Sequence, residues 1–156
     1  MPEPLVLLKF SIDCPDLYEK DFYLWTQRMV EALRSRDFDA LDLENLLDEV
    51  ESLGRNDRHA LESRLTVLLM HLLKWQFQPE MRSGSWRGTL VEQRIQIRKL
   101  LKASPSLRSF LEESIDECYQ DARLQAEAET GLSIVVFPEV CEYTIEQILS
   151  VEFLSD

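Results

Sequence analysis

Acidic, basic and imidazole side chains interrupt the apolar helical patterns of this chain, and they are its first candidates for chemistry. Glu49 lies at the edge of an apolar stripe, and His71 lies inside the most apolar stretch of the chain. A carboxylate and an imidazole that share a pocket can act as an acid–base pair, as in many hydrolytic reactions. Arg94 could hold an anionic small molecule beside them, since guanidinium groups bind carboxylates and phosphates.

The polar side chains that adjoin predicted apolar helix faces are the candidate pocket or buried polar network. They are Glu49, Arg64, His71, Gln93, Arg94, Tyr119 and Arg123. An ionised group inside a core costs several kcal/mol unless it is paired, so we expect these side chains to contact one another. Three interpretations stay open: a structural network that fixes helix register, a pocket for an anionic small molecule, or an acid–base pair formed by Glu49 and His71.

Residue spacing gives no pattern for a metal site or a catalytic nucleophile. The two histidines are His59 and His71, and neither follows a Glu or Asp by three residues, as a di-iron site in a helical bundle requires. There is no G-x-S-x-G sequence. Cys118 lies on an apolar stripe, where a cysteine usually packs as a small apolar side chain. The sequence therefore predicts no metal, no cofactor and no catalytic residue.

The charge of the chain restricts its partners. The net charge is −12 over 156 residues, and such a surface repels nucleic acid and anionic membranes. One basic stretch from 82 to 102 runs against this trend, and besides Arg94 its basic residues are Arg82, Arg87, Arg98, Lys99 and Lys102. This candidate basic surface could contact nucleic acid, but pairing with acidic helices or with an acidic protein partner is the simpler interpretation.

Cysteine usage and hydropathy predict a cytoplasmic protein. The three cysteines are widely spaced and odd in number, which suits a reducing compartment. The first ten residues lack the basic start and the cleavage site of a signal peptide. The longest apolar run, 67–73, is far shorter than the roughly 20 residues that a membrane span needs.

Hydrophobic periodicity predicts an all-α fold, a compact bundle of about five main helices. The predicted helices cover 16–34, 57–77, 85–102 and 105–130, a second helix is capped by Asp39 or Asp42 and ends at Leu53, and a small last helix starts at Thr144. The third is expected to be central and buried, because its apolar residues form one stripe with further apolar residues on the opposite side. The members of that stripe are Leu61, Leu65, Leu68, Leu72 and Trp75.

Two neighbouring helices are expected to bury apolar faces of their own. The first predicted helix has an aromatic stripe through Tyr18, Phe22 and Trp25, which predicts core, with partner binding as the alternative. In the second, the buried face is expected to consist of Leu43, Leu46, Leu47, Val50 and Leu53. The short link 54–56, with Gly54 ending the second helix, predicts that the second and third helices fold back as an antiparallel hairpin.

The two ends of the chain differ in character from the helices. Residues 1–15 contain three prolines and are predicted to be an irregular arm, followed by a single domain over 16–156. Ser104 and Pro105 are predicted to begin the fifth helix, and Gly131 to end it. Residues 132–137 are β-branched and predict a short extended tail. Thr144 and Gln147 fit a capping box for the last helix.

Short sequence blocks spread over residues 18–154 resemble one bacterial family, the domain-of-unknown-function 29 family. The blocks are Asp21-Phe22-Tyr23-Leu24-Trp25, Leu43-Glu44-Asn45-Leu46 with Glu49, Leu53-Gly54, Leu61 to Ser63, His71-Leu72-Leu73-Lys74-Trp75, Ser85-Trp86, Gln93-Arg94, Ser104 to Leu107, Tyr119 with Ala122-Arg123, Glu129-Thr130-Gly131, and Phe137-Pro138. The resemblance implies a small α-helical bacterial protein, and it implies no particular reaction, cofactor or ligand.

The function that these observations favour is a protein-interaction or regulatory module without enzymatic activity. It would bind a protein partner or associate with itself, because no complete catalytic constellation is present in the sequence. The alternative that stays open is a small-molecule-binding or hydrolytic protein with a polar pocket around Glu49, His71 and Arg94.

Overall fold

The structure, a computed structural model, describes residues 14–154, and these residues form α-helices joined by turns. The helices are α1 (Cys14–Lys20), α2 (Phe22–Ser35), α3 (Leu43–Phe77), α4 (Gly84–Ala103), α5 (Leu107–Thr130) and α6 (Ile145–Leu149). Short 3₁₀ turns occupy Phe38–Ala40, Pro79–Met81 and Ile134–Val136. No β-strand occurs within 14–154, so the predicted all-α class is confirmed.

The first predicted helix, 16–34, is in fact two helices that meet at Asp21. The Asp21 carboxylate accepts a hydrogen bond from the backbone N–H of Leu24 at 3.0 Å, which caps α2. An aspartate in this position satisfies an amide that has no partner inside the helix, and it favours a new helix start over continuation. Of the predicted arm, residues 1–13 lie outside the described residues, and Cys14 and Pro15 already belong to α1.

The predicted hairpin between the second and third helices is wrong, because α3 continues through Gly54 without a turn. A glycine inside a helix costs only about 1 kcal/mol relative to alanine. The surrounding residues include no proline, so each of them can continue the backbone hydrogen-bond ladder. The cost of one glycine is too small to stop a helix in that setting.

The chain divides into two compact units, the first unit (Met1–Gly54) and the second unit (Arg55–Asp156), and α3 belongs to both. In the first unit, Leu17, Trp25 and Met29 form a small buried core, with Tyr18 and Leu46 packed against it. The prediction of one domain over 16–156 stays a prediction.

The prediction of a buried face on the second helix is wrong, because that face is largely exposed. Only Leu46 is half-buried; the other members are between 57% and 68% exposed, namely Leu43, Leu47, Val50 and Leu53. The face was expected to pack on a third helix that folds back across a hairpin. Since α3 continues without a turn, the hairpin that would have covered this face does not form.

The second unit has a core built around α3, and the central, buried helix is confirmed there. The stripe that runs from Leu61 to Trp75 is at most 5% exposed, and Leu65, Leu68 and Leu72 are completely covered. Leu90 and Ile97 of α4 and Leu111 of α5 belong to the same core. No helix of residues 14–154 has the length and apolarity that would let it cross a membrane.

The C-terminal part of the second unit follows the predicted order with two differences. Gly131 ends α5 with a φ of 71°, and Thr144 and Gln147 form the predicted capping box of α6. Ser104, however, ends α4, and α5 begins at Leu107. The segment 132–137 was predicted to be extended, but Ile134–Val136 forms a 3₁₀ turn. Its backbone N–H groups bond to carbonyls three residues earlier. The described residues include no strand with which this segment could pair.

Candidate functional site

Arg94 of α4 is 1% exposed, and its guanidinium donates to two backbone carbonyls near the end of the described chain. Its Nε–H reaches the carbonyl of Ile148 at 2.9 Å, and its Nη2 reaches that of Phe153 at 3.0 Å. Burial lowers the pKa of Arg94 to about 10, so it stays cationic at neutral pH. One turn later, Arg98 donates to the carbonyl of Leu149 at 2.6 Å. The two arginines satisfy carbonyls at the C-terminus of α6, where a helix lacks internal donors.

Tyr119 and Arg123 of α5 hold an earlier part of the segment that follows α5 in the same manner; this segment, residues 132–154, is called the tail below. The Tyr119 hydroxyl donates to the carbonyl of Pro138 at 2.9 Å, and burial raises its pKa to about 12. Arg123 Nη2 donates to the carbonyls of Ile134 and Phe137, at 3.3 and 3.2 Å. A tail without strand partners needs such donors, because buried backbone carbonyls must be hydrogen-bonded.

A cavity of about 260 Å³ lies beside Arg94 in the second unit, and Arg87, Leu90, Val91 and Val151 contribute to its lining. It is the place where an anionic ligand would meet arginine side chains. Arg94, however, directs both its Nε–H and its Nη2 at the main chain. The geometry of this arginine is therefore that of a support for the tail.

Arg64, Gln93 and His71 lie elsewhere in the second unit. Arg64 donates to the Gln93 side-chain oxygen at 3.3 Å, which joins α3 to α4. His71 is 9% exposed, and its Nδ1 lies 2.9 Å from the carbonyl of Val67 in the preceding turn. This contact places the proton on Nδ1 and leaves Nε2 as an acceptor. The candidates of the second unit are thus distributed over separate contacts with neighbouring backbone or side chains.

Lys74 is a buried charge that the sequence-derived candidate list does not contain. Its side chain is 6% exposed, its Nζ lies 2.5 Å from a carboxylate oxygen of Glu129, and it stands over the Trp86 ring at 4.4 Å. These contacts join α3, α4 and α5. The position of Lys74 inside an apolar stretch could have identified it as a buried charge. Its partner could not be found in the same way, because Glu129 is distant in sequence.

Acid should destabilise the protein through His71. Burial lowers the pKa of His71, so below pH of about 6.5 the unfolded chain takes up a proton that the folded chain resists. The free energy of unfolding should therefore fall as the pH drops from 6.5 towards the lower, folded-state pKa. In urea unfolding between about pH 7.5 and 5.5, His71→Gln should flatten this dependence. An unchanged slope in His71→Gln would contradict the assignment.

Glu49, the remaining member of the candidate set, belongs to the first unit. It accepts a hydrogen bond from the Tyr18 hydroxyl at 2.6 Å, and this bond raises the pKa of Tyr18 to about 12. Nearby, the Trp25 indole N–H donates to the buried Asp42 carboxylate at 3.0 Å, and the Asn45 amide donates to the same oxygen. These polar contacts tie α1 and α2 to the first turns of α3.

An apolar groove runs between α2 and the start of α3 within the first unit. Its volume is about 230 Å³, and its lining residues are Phe22, Trp25, Thr26, Met29, Val30, Leu33, Leu46, Glu49, Val50 and Leu53. Trp25 and Met29 form a buried floor at 2% exposure, whereas Leu33 is 46% and Leu53 is 68% exposed. Exposed apolar patches of this kind mark binding surfaces in soluble proteins.

The cavity of the second unit that contains Cys118 lacks the features of a reactive site. Cys118 shares this cavity of about 340 Å³ with Glu62, Glu117 and Asp121. Burial raises the pKa of the Cys118 thiol, and nearby carboxylates act in the same direction. A thiol in this state is a poor nucleophile at neutral pH. Among residues 14–154, no three His, Cys, Asp or Glu side chains are grouped as metal ligands.

The candidate basic surface on and before α4 is exposed, but part of it is engaged within the chain. Arg82 donates to the carbonyl of Trp75 at 2.9 Å and stacks over that indole ring. Arg98 holds the end of α6, as described above. Arg87, Lys99 and Lys102 are exposed on α4.

Comparison with known proteins places the chain in a family. No curated protein and no solved structure matches it. The family model described as "Domain of unknown function DUF29" matches residues 17–154, which is nearly the whole sequence and includes both the apolar groove and the tail contacts. The chain therefore belongs to the DUF29 family.

Proposed function

We propose that this chain is a cytoplasmic protein-interaction module whose binding surface is the apolar groove of the first unit. The observation that carries the proposal is the exposure of Leu33, Val50 and Leu53 along one continuous apolar surface. Fully burying one such side chain against a partner is worth roughly 1.5–3 kcal/mol. A groove with several of them supplies the apolar centre that protein interfaces typically have.

The small-molecule and hydrolytic alternative is less well supported by the geometry. Arg94 donates to the tail carbonyls, Tyr119 to Pro138, and Glu49 accepts from Tyr18. Each of these groups has a polar partner inside its own unit, whereas a substrate site needs polar groups that converge on an unfilled position. The apolar groove has the reverse character, since its lining is almost entirely apolar.

Site-specific photo-crosslinking in cells tests the proposal. A photoreactive amino acid is placed at Val50 or Leu53, which line the groove on α3 and are exposed, and at Val135, which is 81% exposed in the second unit. We expect a crosslinked protein of defined mass from the two α3 positions and none from Val135. The partner would then be identified by mass spectrometry of the crosslinked peptide.

The pattern of crosslinks decides the outcome. Equal crosslinking at Val135 and Leu53 would mean that apolar exposure alone captures neighbours, and it would contradict a specific surface. A complete lack of crosslinks at Val50 and Leu53 would also contradict the proposal. Because all three positions are exposed, the substitutions should change the free energy of unfolding by no more than about 0.5 kcal/mol.

A further inference from the structure

We infer that the occupant of the apolar groove is an amphipathic α-helix of a protein partner, with lysine and arginine residues beside its apolar stripe. The inference rests on the proposed function and adds the chemical class of the partner. It follows from the charge around the groove, from the length of the groove, and from the absence of a β-strand within residues 14–154.

The charge of the first unit is strongly acidic around an apolar surface. Between residues 16 and 54 there are eleven acidic and four basic side chains, a net charge of −7. The first three turns of α3 carry four carboxylates and no basic residue. Glu49 lines the groove itself. Basic residues beside the partner's apolar stripe would complement this field.

The shape of the groove fits a short helix. Its α2 wall runs from Phe22 to Leu33, a span of roughly 17 Å at 1.5 Å per residue. Three turns of a partner helix have this length, and they present apolar side chains at positions i, i+4, i+7 and i+11. A partner β-strand would need a sheet edge to pair with, and no strand occurs in the part of the chain that the structure describes.

A second copy of this chain is a poor occupant. Residues 16–54 of each copy carry a net charge of −7, so electrostatic repulsion between two first units would oppose their association. Among the described helices, α4 carries the largest net positive charge, but its apolar residues Leu90 and Ile97 are at most 2% exposed in the second unit. That helix cannot present an apolar stripe to another copy while its own core is intact.

Three synthetic peptides of equal length test the inference with the full chain. The first has a leucine stripe at helical spacing flanked by lysine and arginine; the second has glutamate in place of those cations; the third has the first composition with the leucines scrambled. We expect calorimetry to show micromolar binding of the first peptide, at least about tenfold tighter than the other two. The affinity should fall as salt rises from about 50 to about 300 mM.

A pair of alanine variants locates the binding. Val50→Ala/Leu53→Ala removes apolar surface at exposed helical positions, and it should weaken binding of the basic peptide at least about tenfold with folding intact. Val135→Ala in the second unit should leave the affinity unchanged. Unchanged binding in the double variant would mean that the acidic surface alone attracts the peptide, and it would overturn the inference.

Failure of the inference can be told apart from failure of the proposed function. Crosslinks from Leu53 to a partner segment that is neither basic nor helical would overturn the inference and leave the proposed function standing. So would equal binding of the acidic or scrambled peptide together with a specific crosslink. A crosslink to a second copy, or to residues 1–13 of the same chain, would replace the occupant named above. No crosslink and no peptide binding would remove both.

Discussion

Replacing Arg94 with methionine should lower the free energy of unfolding by about 2–5 kcal/mol, one of the two largest effects that we expect from a single substitution. The change leaves the carbonyls of Ile148 and Phe153 without their donors, and each buried carbonyl without a partner costs about 1–3 kcal/mol. Arg94→Lys should be intermediate, since an ammonium group cannot reproduce the two directed bonds of a guanidinium. Urea unfolding followed by circular dichroism measures both changes.

Arg98→Met is the matched control for the Arg94 prediction. It also removes a donor to the end of α6, but Arg98 is exposed, so water can replace it, and the cost should stay below about 1 kcal/mol. If Arg94→Met were as stable as the wild-type chain, the tail would not depend on this side chain. Arg94 would then be available to a ligand, which would favour the small-molecule alternative.

Leu68→Ala should cost about 2–5 kcal/mol, whereas Leu47→Ala, on the same helix, should change the free energy of unfolding by no more than about 0.5 kcal/mol. Leu68 is completely covered in the core of the second unit, and its truncation leaves a cavity. Leu47 is 61% exposed in the first unit, and alanine is the better helix former. Chemical unfolding of both variants at one pH gives the comparison.

Similar losses from the two leucine substitutions would contradict the account of α3. They would mean that Leu47 is packed as tightly as Leu68, and that the apolar face at the start of α3 belongs to a core. The proposal that the neighbouring Val50 and Leu53 form a free binding surface would then lose support. A large difference, in contrast, would show that this face is maintained for a reason other than the stability of the chain.

The buried half of α3 could be predicted because its pattern is redundant. Between Leu61 and Trp75 the apolar residues recur at helical spacing and also occupy much of the opposite face, and only burial inside a helical core accounts for that composition. The cap of α6 was equally readable, because a threonine followed three residues later by a glutamine is a local signal.

The apolar groove could not be assigned from periodicity, because an apolar stripe has the same sequence signature whether another helix of the chain or a partner covers it. Leu47, Val50 and Leu53 were expected in a core that required a turn at Gly54. A glycine at the end of an apolar stripe predicts a helix stop, but α3 continues through Gly54. Whether the helix stops or continues at Gly54 depends on roughly 1 kcal/mol of backbone preference, a difference that sequence patterns do not resolve.

The polar residues were identified individually, but their partners were not. The sequence marks Arg94, Tyr119 and Arg123 as polar groups beside apolar faces, and in the structure all three donate to backbone carbonyls of the tail. Every residue has a backbone carbonyl, so the residue types in a sequence do not indicate which carbonyl a buried arginine or tyrosine will bind. The Lys74–Glu129 pair was missed because the two residues are 55 positions apart.

Methyl NMR spectra of the full chain, titrated with the basic amphipathic peptide, test the central claim most directly. Val30, Val50 and Leu53 line the apolar groove, and Val91 and Val151 line the cavity beside Arg94. We predict saturable shifts of the first three methyl signals and none of the last two. Shifts confined to Val91 and Val151, or spread evenly over the surface, would contradict the claim that the apolar groove is the binding site.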